Sequence, residues 1–62
     1  MDGLREMVGR RVYVELNSNR KYTGTILDVD ETLSLIKLKD KFDNIIWISF
    51  AELKLLQEES DV

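Results

Sequence analysis

Residues 8–35 read VGRRVYVELNSNRKYTGTILDVDETLSL, and this stretch decides the fold. Val12, Val14 and Leu16 alternate with Arg11, Tyr13 and Glu15, the period of two that marks a strand with one wet face. Asn17-Ser18-Asn19-Arg20 follows as a hairpin loop, because Asn tolerates the left-handed backbone that such loops need. A second strand runs from Lys21 to about Asp30, with Tyr22, Gly24 and Ile26 on one face. Gly24 in mid-strand predicts a bend or a close backbone approach, the kind of kink that curls a sheet towards a barrel.

On the C-terminal side, Asp30-Glu31-Thr32 predicts a tight turn into a third strand over Leu33 to Leu38. Lys39 to Asn44 is a second hairpin loop with Phe42 as its one aromatic. Ile45-Ile46-Trp47-Ile48 is apolar on both alternating faces, as in a strand buried from two sides or covered by another subunit. Ser49 to Glu52 is a short turn and Leu53 to Leu56 a last strand. On the N-terminal side, Leu4, Met7 and Val8 stand at helical spacing and predict one or two turns of helix within residues 2–8. The expected fold is all-β: a five-stranded, strongly bent antiparallel barrel with a short N-terminal helix. A single domain is expected over residues 1–56, followed by an acidic, disordered tail over residues 57–62.

Composition narrows the function. A chain of 62 residues buries only about 60% of the surface its unfolded form exposes, so its own core is marginal. It has no Cys and no His, which removes disulfides, thiolate sites and the usual zinc ligands as sources of extra stability. Self-association is the remedy left. The same inventory leaves no His base and no Cys nucleophile, and the three glycines, Gly3, Gly9 and Gly24, are too scattered to cradle a phosphate. No catalytic residue, cofactor or metal is therefore expected. Nine Lys and Arg against 12 Asp and Glu disfavour nucleic-acid binding by bulk charge. Glu58, Glu59 and Asp61 supply three of those acids, however, so residues 1–56 balance at nine against nine. Any RNA contact has to be local and shaped. With no apolar run near the roughly 20 residues of a membrane span and no signal-peptide pattern, a cytoplasmic protein without a membrane partner is expected.

Val8-Gly9, the alternating Arg11 to Leu16, Tyr22-Thr23-Gly24-Thr25-Ile26 and Val29-Asp30-Glu31-Thr32-Leu33-Ser34 together resemble the first signature motif of the Sm-like (Sm/Hfq-type) small β-barrel family, in a divergent, archaeal-type form. The resemblance covers roughly residues 4 to 38. The family's second motif, Ile-Arg-Gly, falls on Ile48-Ser49-Phe50, where only the Ile is kept. The resemblance implies an SH3-like or Sm-like barrel whose last two strands pair edge to edge with neighbouring subunits. That closes a homo-oligomeric ring, a hexamer or heptamer, and satisfies edges that would otherwise pair at random. The interface residues it implies are Ile45, Ile46, Trp47, Ile48, Phe50, Leu53 and Leu55.

The resemblance also places a uridine pocket at Asp30, Thr32, Ser34 and Ser49. Thr32 stands where the family stacks a base, Ser34 where it has Asn, and Ser49 where it has Arg. Thr offers no aromatic face, Ser lacks the paired donor and acceptor of an amide, and the cation is gone. Asp30 implies a loop-holding role. The pocket is degenerate, and Phe50, in place of a small Gly, is expected to narrow or plug the region that lines the pore in relatives.

Other candidates come from the residues themselves. Arg10, Arg11, Arg20 and Lys21 form a basic rim if the first hairpin loop folds beside the start of the first strand, with Tyr13 and Tyr22 near in sequence to meet bases. Asp28, Asp30 and Glu31 lack the Gly and distal Glu of a calcium loop and are expected to be solvated. Lys37, Lys39 and Lys41 alternate and guard a strand edge, while Phe42 is either a partner contact or a cover for the core. The expected function is a non-enzymatic, RNA-associated protein that uses rim or loop surfaces. The alternative is a protein-interaction or assembly subunit that has lost RNA binding.

Overall fold

The computed structural model describes residues 2–59. A one-turn helix, α1 (Asp2–Arg5), leads into five strands: β1 (Arg11–Leu16), β2 (Lys21–Asp30), β3 (Leu35–Lys39), β4 (Ile45–Ser49) and β5 (Leu53–Glu58). A 3-10 turn over Phe50–Glu52 separates the last two. All neighbours are antiparallel, in the order β4-β3-β2-β1-β5, so β4 and β5 are the two outer strands of the sheet.

The sheet bends around a core that every strand but β5 feeds with fully or nearly buried side chains. Val12, Val14 and Leu16 come from β1, Ile26 and Val29 from β2, Ile36 and Leu38 from β3, and Ile48 from β4, with Leu4 closing one end. Leu53 and Leu56 of β5 pack against this cluster from its rim. Two devices in β2 produce the bend. A Cβ at Gly24 would run into the Lys39 carbonyl, whose carbon lies 2.9 Å from its place, so only glycine lets β3 cross there. Leu27 is a bulge: Ile26 faces Leu38 and Asp28 faces Lys37, leaving Leu27 without a partner. Without that extra residue the inward face Tyr22, Gly24, Ile26 would continue into Asp28 and Asp30 and bury two carboxylates. The bulge shifts the phase and turns Val29 inward instead.

Two boundaries differ from the sequence expectation, whereas the helix keeps to one turn of the one or two expected within residues 2–8. The third strand begins at Leu35, because Ser34 takes φ 55° and cannot extend a ladder, which leaves Leu33 exposed in the turn. The helix ends at Arg5, and the chain continues in tight turns, with Met7 donating to the Leu4 carbonyl at 3.0 Å and Gly9 at φ 89°. Gln57 and Glu58, assigned to the tail, lie in β5 opposite Tyr13 and Val12, and the Glu59 N–H donates to the Arg11 carbonyl at 2.9 Å. Pairing with β1 orders them; residues 60–62 of the expected tail lie outside the described residues. Among the described residues, no helix is long and apolar enough to cross a membrane.

Candidate nucleic-acid interface

The turns after β2 and β4 meet. The Phe50 N–H donates to the Ser34 carbonyl at 2.9 Å, and Leu35 faces Ser49 across the ladder, so Ser34 and Ser49 lie in adjoining turns. Asp30 holds the first turn by accepting from the Leu33 N–H at 3.0 Å. Ser49 caps the 3-10 turn, its Oγ accepting from the Ala51 N–H at 3.2 Å. Thr32 is exposed at the tip. The joined turns therefore offer no stacking ring, amide or cation at Thr32, Ser34 and Ser49, and neither groove described below is lined by them. Phe50 does not stand free as a plug: it is half-buried against the core.

The four rim cations do not form one cluster. Arg11 faces Thr25 while Glu15 faces Lys21, so Arg10 and Arg11 lie at one end of the first hairpin, and Arg20 and Lys21 at the other. Arg10 donates to Glu58 at 2.8 Å, and that hydrogen bond, with the charge of Glu58, raises the guanidinium pKa. Arg11 pairs with Glu59 at 3.3 Å and Lys21 with Glu15 at 3.8 Å. Arg20 makes no ion pair among the described residues.

Two grooves regroup these side chains. One, of about 410 Å³, lies between the first half of β2 and the β3–β4 loop, and is lined by Arg11, Lys21, Tyr22, Thr23, Asp40, Lys41 and Phe42. The bend at Gly24 makes it, by carrying the end of β3 and the loop after it over β2. The second, of about 310 Å³, runs along β4 beside the first hairpin loop, with Ile46, Trp47 and Ile48 on one side and Leu16, Ser18 and Arg20 among its other walls.

The alternating lysines take separate partners. Lys37 lies over the Trp47 ring at 5.5 Å, Lys39 pairs with Asp43 at 3.1 Å, and Lys41 lies over the Phe42 ring at 5.2 Å. Asp28 accepts from the Val29 N–H at 2.8 Å, Asp30 from Leu33, and Glu31 lies 3.7 Å from Arg5. Their carboxylates thus hold backbone and surface, and no metal-binding group of three converges among the described residues. Of the expected interface residues, Ile45, Trp47 and Leu55 are exposed, and Trp47 keeps 55% of its surface in solvent. Ile46, Phe50 and Leu53 are partly buried, and Ile48 is a core residue whose side chain is spent inside the subunit. Lys41 and Thr23 were not among the site residues the sequence suggested; Lys41-Phe42 was visible as a cation beside a lone aromatic, but its approach to Lys21 and Thr23 depends on the bend.

A helix-led, strongly bent five-stranded sheet with unpaired outer strands and joined β2–β3 and β4–β5 turns is an Sm-like barrel. Residues 2–40 match the LSM domain, more than half of the chain, and the protein belongs to that family. Its fold is similar, with a TM-score of 0.81 and 27% identity, to a chain in a structure described as the structural basis of Dcp1:Dcp2 mRNA decapping complex activation by Edc3 and Scd6. That similarity covers 90% of this chain and 58% of the other, so this protein spans little more than half of its structural relative. No match is found among curated protein sequences.

Proposed function

We propose that this protein is a non-enzymatic, cytoplasmic LSM subunit that assembles edge to edge into a homo-oligomeric ring of six or seven and contacts RNA on its outer surface. The supporting observation is the sheet order, which leaves β4 and β5 unpaired at opposite edges with Ile45, Trp47 and Leu55 exposed on them. Two different edges on one subunit make a head-to-tail contact, which closes into a ring if the rotation allows. The turns at Ser34 and Ser49 lack the groups that hold a base, whereas Arg11, Lys21 and Lys41 line one groove. Native mass spectrometry of the protein alone, then with an equimolar uridine-rich or mixed-sequence RNA, tests both parts. A closed hexamer or heptamer that takes up either RNA is expected; a monomer at micromolar concentration removes the ring, and no uptake of either RNA removes the RNA reading.

A second reading, a protein-interaction subunit, is favoured by the exposed Trp47 beside a groove of mixed polar and apolar lining and by the protein assembly in which the structural relative occurs. Pull-down with and without nuclease separates the two, because a protein partner survives nuclease treatment.

A further inference from the structure

We infer that the groove between β2 and the β3–β4 loop is a sequence-tolerant site for one nucleotide of single-stranded RNA, with Phe42 stacking on the base and Arg11, Lys21 and Lys41 holding the flanking phosphates. It rests on the RNA reading above and names the surface that serves it. Phe42 carries the argument. Its ring is 72% exposed, the most exposed large apolar side chain among the described residues, in a loop held in shape. Asp40 accepts from the Phe42 and Asn44 N–H groups, both at 2.9 Å, and from Asn44 Nδ2 at 3.2 Å. The Asp40 N–H and carbonyl bond Asn44 and Asp43 at 3.0 and 3.1 Å, and Asp43 takes φ 65° to close the turn. Five hydrogen bonds around Asp40 order the loop backbone that carries Phe42, and its exposed ring is a stacking surface rather than a cover for the core.

The charges around it are suited to phosphate. Three cations and one carboxylate line the groove, and that carboxylate, Asp40, is already occupied by donors, which hold its pKa below the ordinary range. Glu59 engages Arg11 at 3.3 Å in an exposed pair and the half-buried Glu15 engages Lys21 at a long 3.8 Å; pairs this solvated or this long hold weakly and can be exchanged for a phosphate. Lys41 already lies over the Phe42 ring and would be displaced outward by a base stacking on it. The remaining wall offers the Thr23 hydroxyl and the half-buried Tyr22, neither of which fixes one base edge. Stacking and phosphate contact without edge readout give affinity with little sequence preference.

Fluorescence anisotropy with labelled oligouridine and oligoadenosine tests this on the full chain. Wild type is expected to bind the two within a few-fold. Phe42→Ala is expected to weaken both by about five- to 150-fold, the range that one base–aromatic stack supplies, while Phe42→Trp restores binding. Lys21→Gln and Lys41→Gln should each make the log–log salt dependence shallower by about 0.7. Phe42 lies outside the core, so circular dichroism should report an unchanged fold. RNA binding that survives Phe42→Ala and both lysine changes, with the same salt slope, overturns the site and leaves the RNA reading standing. If wild type binds neither RNA, both fall together.

Discussion

The Phe50 N–H donates to the Ser34 carbonyl at 2.9 Å, and this single bond ties the turn after β2 to the turn after β4. Ser34 reaches that position with φ 55°, a left-handed conformation that a serine adopts at a cost. Asn and Gly adopt it more readily. Ser34→Asn is therefore expected to stabilise the fold by about 0.5–1 kcal/mol, raising Tm by about 2–8 °C. Thermal unfolding by circular dichroism checks it. The same variant should gain no preference for uridine, because the stacking and cationic positions remain Thr32 and Ser49.

Gly24→Ala tests the bend. The added methyl group meets the Lys39 backbone and not a flexible side chain, so β3 has to move. A loss of about 1–3 kcal/mol is expected in urea unfolding, a large part of the stability of so small a domain.

Two neighbours on β4 test folding and the proposed assembly separately. Trp47→Glu changes a residue that is exposed on the subunit and is expected to leave the monomer folded but prevent ring closure, seen as a drop to subunit mass by size-exclusion chromatography with light scattering. Ile48→Ala, one residue on, empties a fully buried core position and is expected to cost about 2–5 kcal/mol of stability in the subunit itself.

Asp40 links the loop to pH. Hydrogen bonds from the Asn44 and Phe42 backbone hold its folded pKa below the ordinary value of 3.8. The folded chain therefore binds this proton less readily than the unfolded one. The contribution is present above the unfolded pKa and is lost as pH falls through the folded one. Between pH 6, about two units above the ordinary value of 3.8, and pH 3, about one unit below it, stability should fall more in wild type than in Asp40→Asn.

The strands were legible because their signal is local. Val12-Tyr13-Val14-Glu15-Leu16 states its own period, and β2 spans Lys21–Asp30 as its pattern and flanking turns require. The bulge at Leu27 was not read, although Asp28 and Asp30 falling in phase with Ile26 was its trace: two acids cannot follow a core residue inward. The site was harder to see for a different reason. Arg10 with Arg11 and Arg20 with Lys21 are neighbours in sequence, yet β1, six residues long, keeps the two pairs at opposite ends. What gathers Arg11, Lys21 and Lys41 is diagonal register and a bend, and both are properties of the folded sheet.

Sheet order also sets how far apart in sequence the partners of each strand lie. β1 to β4 form by successive hairpins between sequence neighbours, whereas β5 must return across the whole chain to lie on β1, with Glu58 opposite Val12. A chain emerging from the ribosome can therefore assemble four strands while β1 still lacks its second neighbour. The arrival of Leu53–Glu58 covers that temporary edge and creates another in the same movement. In the edge-to-edge assembly proposed above, the edge that β5 would offer to another subunit therefore exists only once the last strand has docked on β1.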